Sequence, residues 1–362
     1  MKQWLETRQV LDRLALLGRE GKRAALATVV RVRGSAYRRE GAKLLVAEDG
    51  SATGNVSGGC LEQDVREVAL QVIASGAPQL RSYCSGVDEI AAWDLGMGCE
   101  GQVDVYVEPA LEPRAREREL LDGRAPFAVA TLLGTRETGS GKRVTVTASG
   151  ADGDLGSSPL TGEAVARARQ LLRDERAALE EIAGRPVFID VFLPPPELVL
   201  CGAGDDAQPL ARCAADVGLR VIVVDRRPAL LTAERFPTAA RLVTSEPADL
   251  ARRLTLDAAC YAVVMTHNFA ADLAYARALL ETPVSYIGML GPRRRTERIL
   301  GALDPGSSHA GERVYGPVGL DIGTDGAEQV ALSVVAEILA VRSGRRARSL
   351  RERGAPIHAP DA

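Results

Sequence analysis

Aromatic residues are scarce in this 362-residue chain, at 4% of positions, and the net charge is only −3. With few rings and no basic excess, the protein offers neither a base-stacking platform nor a phosphate-neutralising face, so nucleic acid is excluded as a partner. No run of 18 uncharged apolar residues occurs, which excludes a membrane-spanning helix and a membrane partner. Histidine is nearly missing: His267, His309 and His358 are the three, too few for a histidine-rich metal cage. The six cysteines, Cys60, Cys84, Cys99, Cys201, Cys213 and Cys260, form no C-x-x-C pair. A chain of this size does not depend on disulfide staples, so they read as reduced thiols in a cytoplasm.

What is present is a composition suited to a sizeable core, 46% hydrophobic and 26% charged, in two or three domains. The opening stretch, MKQWLETRQVLDRLALLGREG, carries acidic residues inside its apolar pattern and reads as an amphipathic helix rather than a secretory leader. Strand-like runs follow at Ala25 to Val32 and Lys43 to Ala47, then a helical pattern after Cys60. Two more strands are expected within 126–148 and a helix from about Glu163 to Ile182. Pro194 to Pro196 form a stiff connector that cannot continue a sheet interior. Beyond it, short apolar runs alternate with helix-length segments, the pattern of a doubly wound parallel sheet. No internal repeat is visible. The expected fold class is α/β: an N-terminal α+β cysteine-bearing domain over 1–193, a Rossmann-like domain over 197–345, and a tail over 346–362.

Two places carry chemistry. In SGGCLEQDV, Ser57, Gly58 and Gly59 lead into Cys60 where a helix begins. Glycines let a ligand approach the backbone closely. A thiolate on a first helical turn is stabilised by free N–H groups and can attack, be oxidised or bind a soft metal. Glu62 is placed to accept a proton. A single cysteine is ordinarily a small buried hydrophobe; the Gly-Gly lead-in favours function here. Cys99, in GMGCEG, is a second and weaker case.

The other place is Gly202-Ala203-Gly204-Asp205-Asp206-Ala207, which fits G-x-G-x-x-A between a strand and a helix, with Asp225 ending the next strand. Asp205 and Asp206 stand where a pyrophosphate would bind, so they either cap the helix themselves or repel an anion. Thr266, His267 and Asn268 follow a strand's C-terminal end, the edge where such sheets bind ligands. Arg293, Arg294 and Arg295 open another helix and make an anion site there plausible, while Asp321 lies in a glycine-rich approach to the last helix.

The stretches GNVSGGCLEQDV, LGMGCEGQVDVYVEP, VVMTHNFAADLAYARALLETPVSYIGMLGPRRRTERIL and GPVGLDIGTDGAEQVALSVVAEILAV resemble, in that order, the XdhC/CoxI family of xanthine dehydrogenase and carbon monoxide dehydrogenase accessory factors. The resemblance is weakest between about 111 and 193. It implies a maturation chaperone that binds the molybdenum cofactor, a molybdopterin with or without a cytidine nucleotide, protects its sulfurated form and delivers it to a molybdenum hydroxylase client. A cysteine desulfurase is the further partner it suggests, and a homodimer is the default state. The family's motifs fall on Ser57, Gly58, Gly59 and Cys60, on Gly96, Gly98 and Cys99, on Gly202 and Gly204, and on Thr266 and His267. Many relatives carry histidine where this chain has Asp205. The expected arrangement holds the cofactor in a cleft between domains, with Cys60 as the soft ligand to metal and no turnover required. The alternative is an NAD(P)-dependent oxidoreductase using the Rossmann turn.

Overall fold

The computed structural model describes residues 2–34, 36–84, 101–110, 114–134, 141–303 and 310–354. The chain divides into two compact units, one of residues 2–194 and one of residues 195–354. Among the described residues, no helix is long and apolar enough to cross a membrane.

The first unit opens with α1 (Lys2–Arg19). Its apolar stripe, including Trp4, Leu11 and Leu14, is buried. Then come β1 (Ala24–Gly34), β2 (Lys43–Ala47), β3 (Ala52–Gly54), α2 (Glu62–Ser75), β4 (Gln79–Cys84) and β5 (Gly101–Pro109). These strands form one antiparallel sheet in the order β3-β2-β1-β5-β4. After α3 (Ala115–Gly123) the sequence β6 (Phe127–Leu132), β7 (Arg143–Thr147), β8 (Ala151–Gly153), α4 (Ser158–Arg173), β9 (Ala178–Ile182) and β10 (Arg185–Phe192) builds a second sheet, β8-β7-β6-β10-β9. The two sheets share one topology, a repeat that the sequence does not display.

The registers match as well. Thr28 faces Lys43 and Leu26 faces Glu108 in the first sheet. Thr131 faces Arg143 and Val129 faces Asp190 in the second. One face of each sheet packs on its own helix, giving two separate cores. The other faces share a cluster of Val30 and Tyr106 with Leu133 and Phe188. β1 is therefore buried on both sides, and seven of its residues in a row have no alternating exposure.

The helix expected from Glu163 to Ile182 is corrected. It runs from Ser158 to Arg173 and ends before β9. Pro159 in the first turn suits a helix start. Residues 178–182 read as helical from their Ala, Leu and Glu, but pair antiparallel with β10, tertiary pairing overriding propensity.

The second unit holds β11 (Glu197–Cys201), α5 (Ala207–Asp216), β12 (Arg220–Asp225), β13 (Arg241–Thr244), β14 (Cys260–Val264), α6 (Phe269–Leu280), β15 (Tyr286–Met289), α7 (Arg293–Ala302), β16 (Val314–Tyr315) and α8 (Ala327–Arg342). The six strands are parallel in the order β13-β12-β11-β14-β15-β16, the doubly wound arrangement with its switch point between β11 and β14. Alternate strand residues serve opposite faces: Leu198, Leu200 and Val223 pack toward α5 and α8, while Val199, Ile222 and Val264 pack toward α6 and α7. Both faces are covered, so the strands are continuous apolar runs. The α/β fold class is as expected.

Candidate functional site

Cys60 lies in the corner between β3 and α2. Leu61, not Cys60, is the buried residue that anchors the turn, and Cys60 is exposed. The expectation that the thiol sits on the first helical turn is corrected by two residues, since α2 begins at Glu62. Ser57 organises the corner. Its Oγ accepts the Gly59 N–H at 3.0 Å and the Leu61 N–H at 3.1 Å, and donates to Glu62 Oε2. Cys60 Sγ stands 3.6 Å from the same Oγ. The other oxygen of Glu62 accepts the Ser57 N–H at 2.8 Å. Burial pushes the Glu62 carboxyl up, but the Ser57 hydroxyl and nearby backbone N–H groups outweigh it and hold it below the ordinary carboxylate value. Glu62 is thus an ionised brace of the loop.

A mostly apolar pocket opens beside the thiol, lined among others by Tyr37, Val56, Cys60 and Tyr83. Tyr37 is 70% exposed. Its ring lies against Gly58, where an added Cβ would come within 3.3 Å of it. Sequence reasoning missed Tyr37, because a lone aromatic before a basic pair carries no signal. Cys99, with Gly96 and Gly98, lies outside the described residues. Cys84 is exposed, whereas Cys201 and Cys260 are buried. Burial raises the Cys201 thiol and pushes Cys260 up to about 12, so both are inert packing residues. No group of three or more His, Cys, Asp or Glu that could hold a metal exists among the described residues.

In the second unit the strand ends converge as the glycine fingerprint requires. Gly202 has φ +125° and a Cβ there would lie 2.6 Å from the Met265 carbonyl oxygen, so only glycine fits where the β11 and β14 loops cross. Asp225 accepts the Ala203 N–H at 2.8 Å and is gripped by Arg227 through Nε and Nη2, both at 2.9 Å. Burial raises its carboxyl, but Arg227 and the backbone donors more than reverse that. A ribose would have to compete for a carboxylate already in use. Asp206 Oδ1 lies 2.7 Å from where a Gly204 Cβ would be, and its Oδ2 meets His267 Nε2 at 2.8 Å. The carboxylate therefore fills the space over Gly204 at the start of α5. His267 adopts φ +59° to reach it. Asp205 pairs with Arg235 at 3.0 Å.

The three-arginine corner is corrected. Arg295 is not free for an anion, because it donates to the buried Asp272 at 2.6 and 3.1 Å. Asp272 also accepts the Thr266 N–H and hydroxyl. Asp272 was missed, since an acidic residue inside an apolar helical pattern reads as surface. Arg293 is exposed at the first position of α7, Asn268 caps α6 by accepting the Ala271 N–H, and Asp321 is exposed in the loop before α8.

Fold and corner define a class: an α+β unit with an exposed cysteine, followed by a Rossmann unit. The description "XdhC Rossmann domain" matches residues 198–338, and "XdhC and CoxI family" matches residues 17–84. The chain is 35% identical over 332 residues to a probable xanthine dehydrogenase subunit of Bacillus subtilis, covering 88% of this chain and 93% of that one. It is 26% identical to the molybdenum cofactor insertion chaperone PaoD of Escherichia coli, over 89% and 84% of the two chains. A crystal structure of a xanthine dehydrogenase from Bacillus halodurans superposes with a TM-score of 0.75 at 30% identity, covering 94% of this chain and 98% of that one. This chain belongs to the XdhC and CoxI family.

Proposed function

We propose that this protein is a maturation chaperone that carries a molybdopterin cofactor as cargo to a xanthine dehydrogenase-type molybdenum hydroxylase. The observation that carries the reading is the exposed Cys60 thiol, held by Ser57 beside an apolar pocket. A thiolate is a soft donor suited to a metal that already bears sulfur ligands. The pocket offers apolar and aromatic surface to a planar ring system, and Gly58 and Gly59 leave the backbone accessible. The name of the E. coli relative, a molybdenum cofactor insertion chaperone, supports the same role. Protection of a sulfurated form, a cytidine nucleotide on the pterin and supply of sulfur by a cysteine desulfurase are finer parts of this proposal. So are contacts from Thr266, His267, Arg293 and Asp321, and from Gly202 and Gly204 through backbone not covered by the Met265 carbonyl and the Asp206 carboxylate.

The oxidoreductase alternative draws less support. The carboxylate of Asp206 occupies the place of a pyrophosphate, and Asp225 is engaged by Arg227. The experiment compares the wild-type chain with Cys60→Ala, both purified without oxygen from a cofactor-producing host. Acid–iodine oxidation converts bound pterin to a fluorescent product. Cys60 is exposed, so its truncation should cost about 1 kcal/mol or less, and the variant should fold while losing pterin. A folded variant that retains wild-type pterin would remove Cys60 from the binding site.

A further inference from the structure

The two sheets of the first unit repeat one another strand for strand, and the repeat extends to the corner that holds Cys60. From β3 into α2, and from β8 into α4, residues correspond at a constant offset of 99 positions (54 to 153, 61 to 160, 72 to 171). Gly54 and Gly153 both have positive φ, and an added Cβ would lie 2.3 Å from the carbonyl oxygen of Lys43 in one case and of Arg143 in the other. Val56 and Leu155, Leu61 and Leu160, and Val72 and Leu171 are buried pairs in matching positions. The residues joining the halves are reciprocal too. Lys43 of the first pairs with Asp190 of the second, and Arg143 of the second pairs with Glu108 of the first. Lys43 corresponds to Arg143 and Glu108 to Asp190 by register. Such swapped contacts are what a self-complementary, two-fold interface produces.

We propose that β1–β3, α2, β4 and β5, and β6–β8, α4, β9 and β10, are two copies of one module, and that Gly156–Thr161 is the counterpart of the Cys60 corner from which the ligand-handling residues have been lost. What the corners share is what the fold needs: the glycine, and the apolar residues on either side. What they do not share is Ser57, Gly58, Gly59, Cys60 and Glu62 against Gly156, Ser157, Ser158, Pro159 and Thr161. In the second corner Thr161 Oγ1 accepts the Leu155 N–H at 3.0 Å and donates to the Ser157 carbonyl at 2.8 Å. Asp154, outside the exchanged positions, adds a brace by accepting the Gly156 N–H at 2.6 Å, so the loop closes without a thiol and without a carboxylate at the position of Glu62. The second set closes its corner by starting α4 at Ser158, whereas the first keeps Gly59 at φ +120° and starts α2 only at Glu62; the longer, glycine-dependent loop of the first corner is what we assign to a ligand. Ser57 and Glu62 are then positioning residues for Cys60, and of the two equivalent corners only the first carries a ligand-handling set. Naming the ligand as a molybdopterin rests on the function proposed above; the equivalence of the corners does not.

Two grafts in the full chain test this. The reverse graft S57G/G58S/G59S/C60P/E62T puts the second corner's residues in the first. The forward graft G156S/S157G/S158G/P159C/T161E does the opposite. Iodoacetamide labelling, mapped by peptide mass spectrometry, reads the thiols without any pterin. The reverse graft should fold with cooperative melting and lose bound pterin. In the forward graft, the thiol introduced at position 159 should label within about threefold of Cys60. A reverse graft that unfolds, when Cys60→Ala does not, would overturn the proposal. So would a folded forward graft whose new thiol labels more than about tenfold away from Cys60. If the forward graft does not fold, the reverse graft decides alone. Matched labelling with no pterin on any chain would uphold equivalent corners and refute the ligand reading instead.

Discussion

Replacing Lys43 by methionine is the sharpest test of how the first unit is held together. Lys43 and Asp190 side chains are 5% and 6% exposed and form an ion pair. Lys43 also donates to the Gly41 carbonyl, while Asp190 accepts from Gln3 at 3.0 Å. Methionine keeps most of the packing against Phe192, over whose ring the ammonium sits at 5.0 Å. What is lost is charge, leaving Asp190 buried and unpaired. Removing one partner of such a pair costs about 3–5 kcal/mol, whereas replacing both by apolar residues is near neutral. Lys43→Met should therefore lose about 3–5 kcal/mol, and Lys43→Met with Asp190→Leu should regain most of it. Burial already pushes Asp190 up despite Lys43. A carboxyl raised in the folded state favours folding below its unfolded value, near 3.9, and loses that contribution as pH rises through the folded value. Without Lys43 the folded value rises further, so the Lys43→Met penalty should be smaller at pH 5 than at pH 8. The assay is urea unfolding followed by the fluorescence of Trp4, which is 3% exposed and packs edge-on to Phe127, in a Trp93→Phe background. A loss below about 1 kcal/mol, or a double variant no better than the single ones, would refute the reasoning.

Three further outcomes follow from the same geometry. Glu108 behaves oppositely to Asp190: burial raises it, but Arg143 and Arg114 together hold it below the ordinary range. Its contribution is full above about pH 4.3 and is lost as pH falls through the folded value, so Glu108→Gln should flatten the acid limb of a melting-temperature profile. Gly202→Ala should destabilise the Rossmann unit by about 2–3 kcal/mol, seen by calorimetry, because alanine would be strained at φ +125° and would meet the Met265 carbonyl. Asp272→Asn should cost about 2–4 kcal/mol by leaving Arg295 without its carboxylate, and should move the His267 ring resonances, since Thr266 loses its anchor.

The parallel sheet was legible because strands buried on both faces are uninterrupted apolar runs, and Asp225 ends one of them at the expected distance from Gly204. The corner at Cys60 was legible from its glycines. The repeat was not, because packing preserves the apolar character of buried positions rather than identity or size: Val65 corresponds to Ala164 and Val72 to Leu171, so little literal similarity remains. Ion-pair partners were also hidden. Lys43 and Asp190 stand 147 positions apart, and nothing local in either stretch points to the other. Arg295 read as a free cation with Arg293 and Arg294 because sequence cannot say which side of a helix start faces a buried carboxylate. The helix over 163–182 overran since its last residues favour helix in isolation and become strand only against β10.

The central claim is that the chain carries a molybdopterin, and mass spectrometry of small molecules released from the native protein, purified without oxygen from a host that makes the cofactor, tests it most directly. The account predicts a molybdopterin species, with or without a nucleotide, in stoichiometric amount. A nicotinamide dinucleotide in its place, or no pterin while the same cells load their molybdenum hydroxylases, would contradict it.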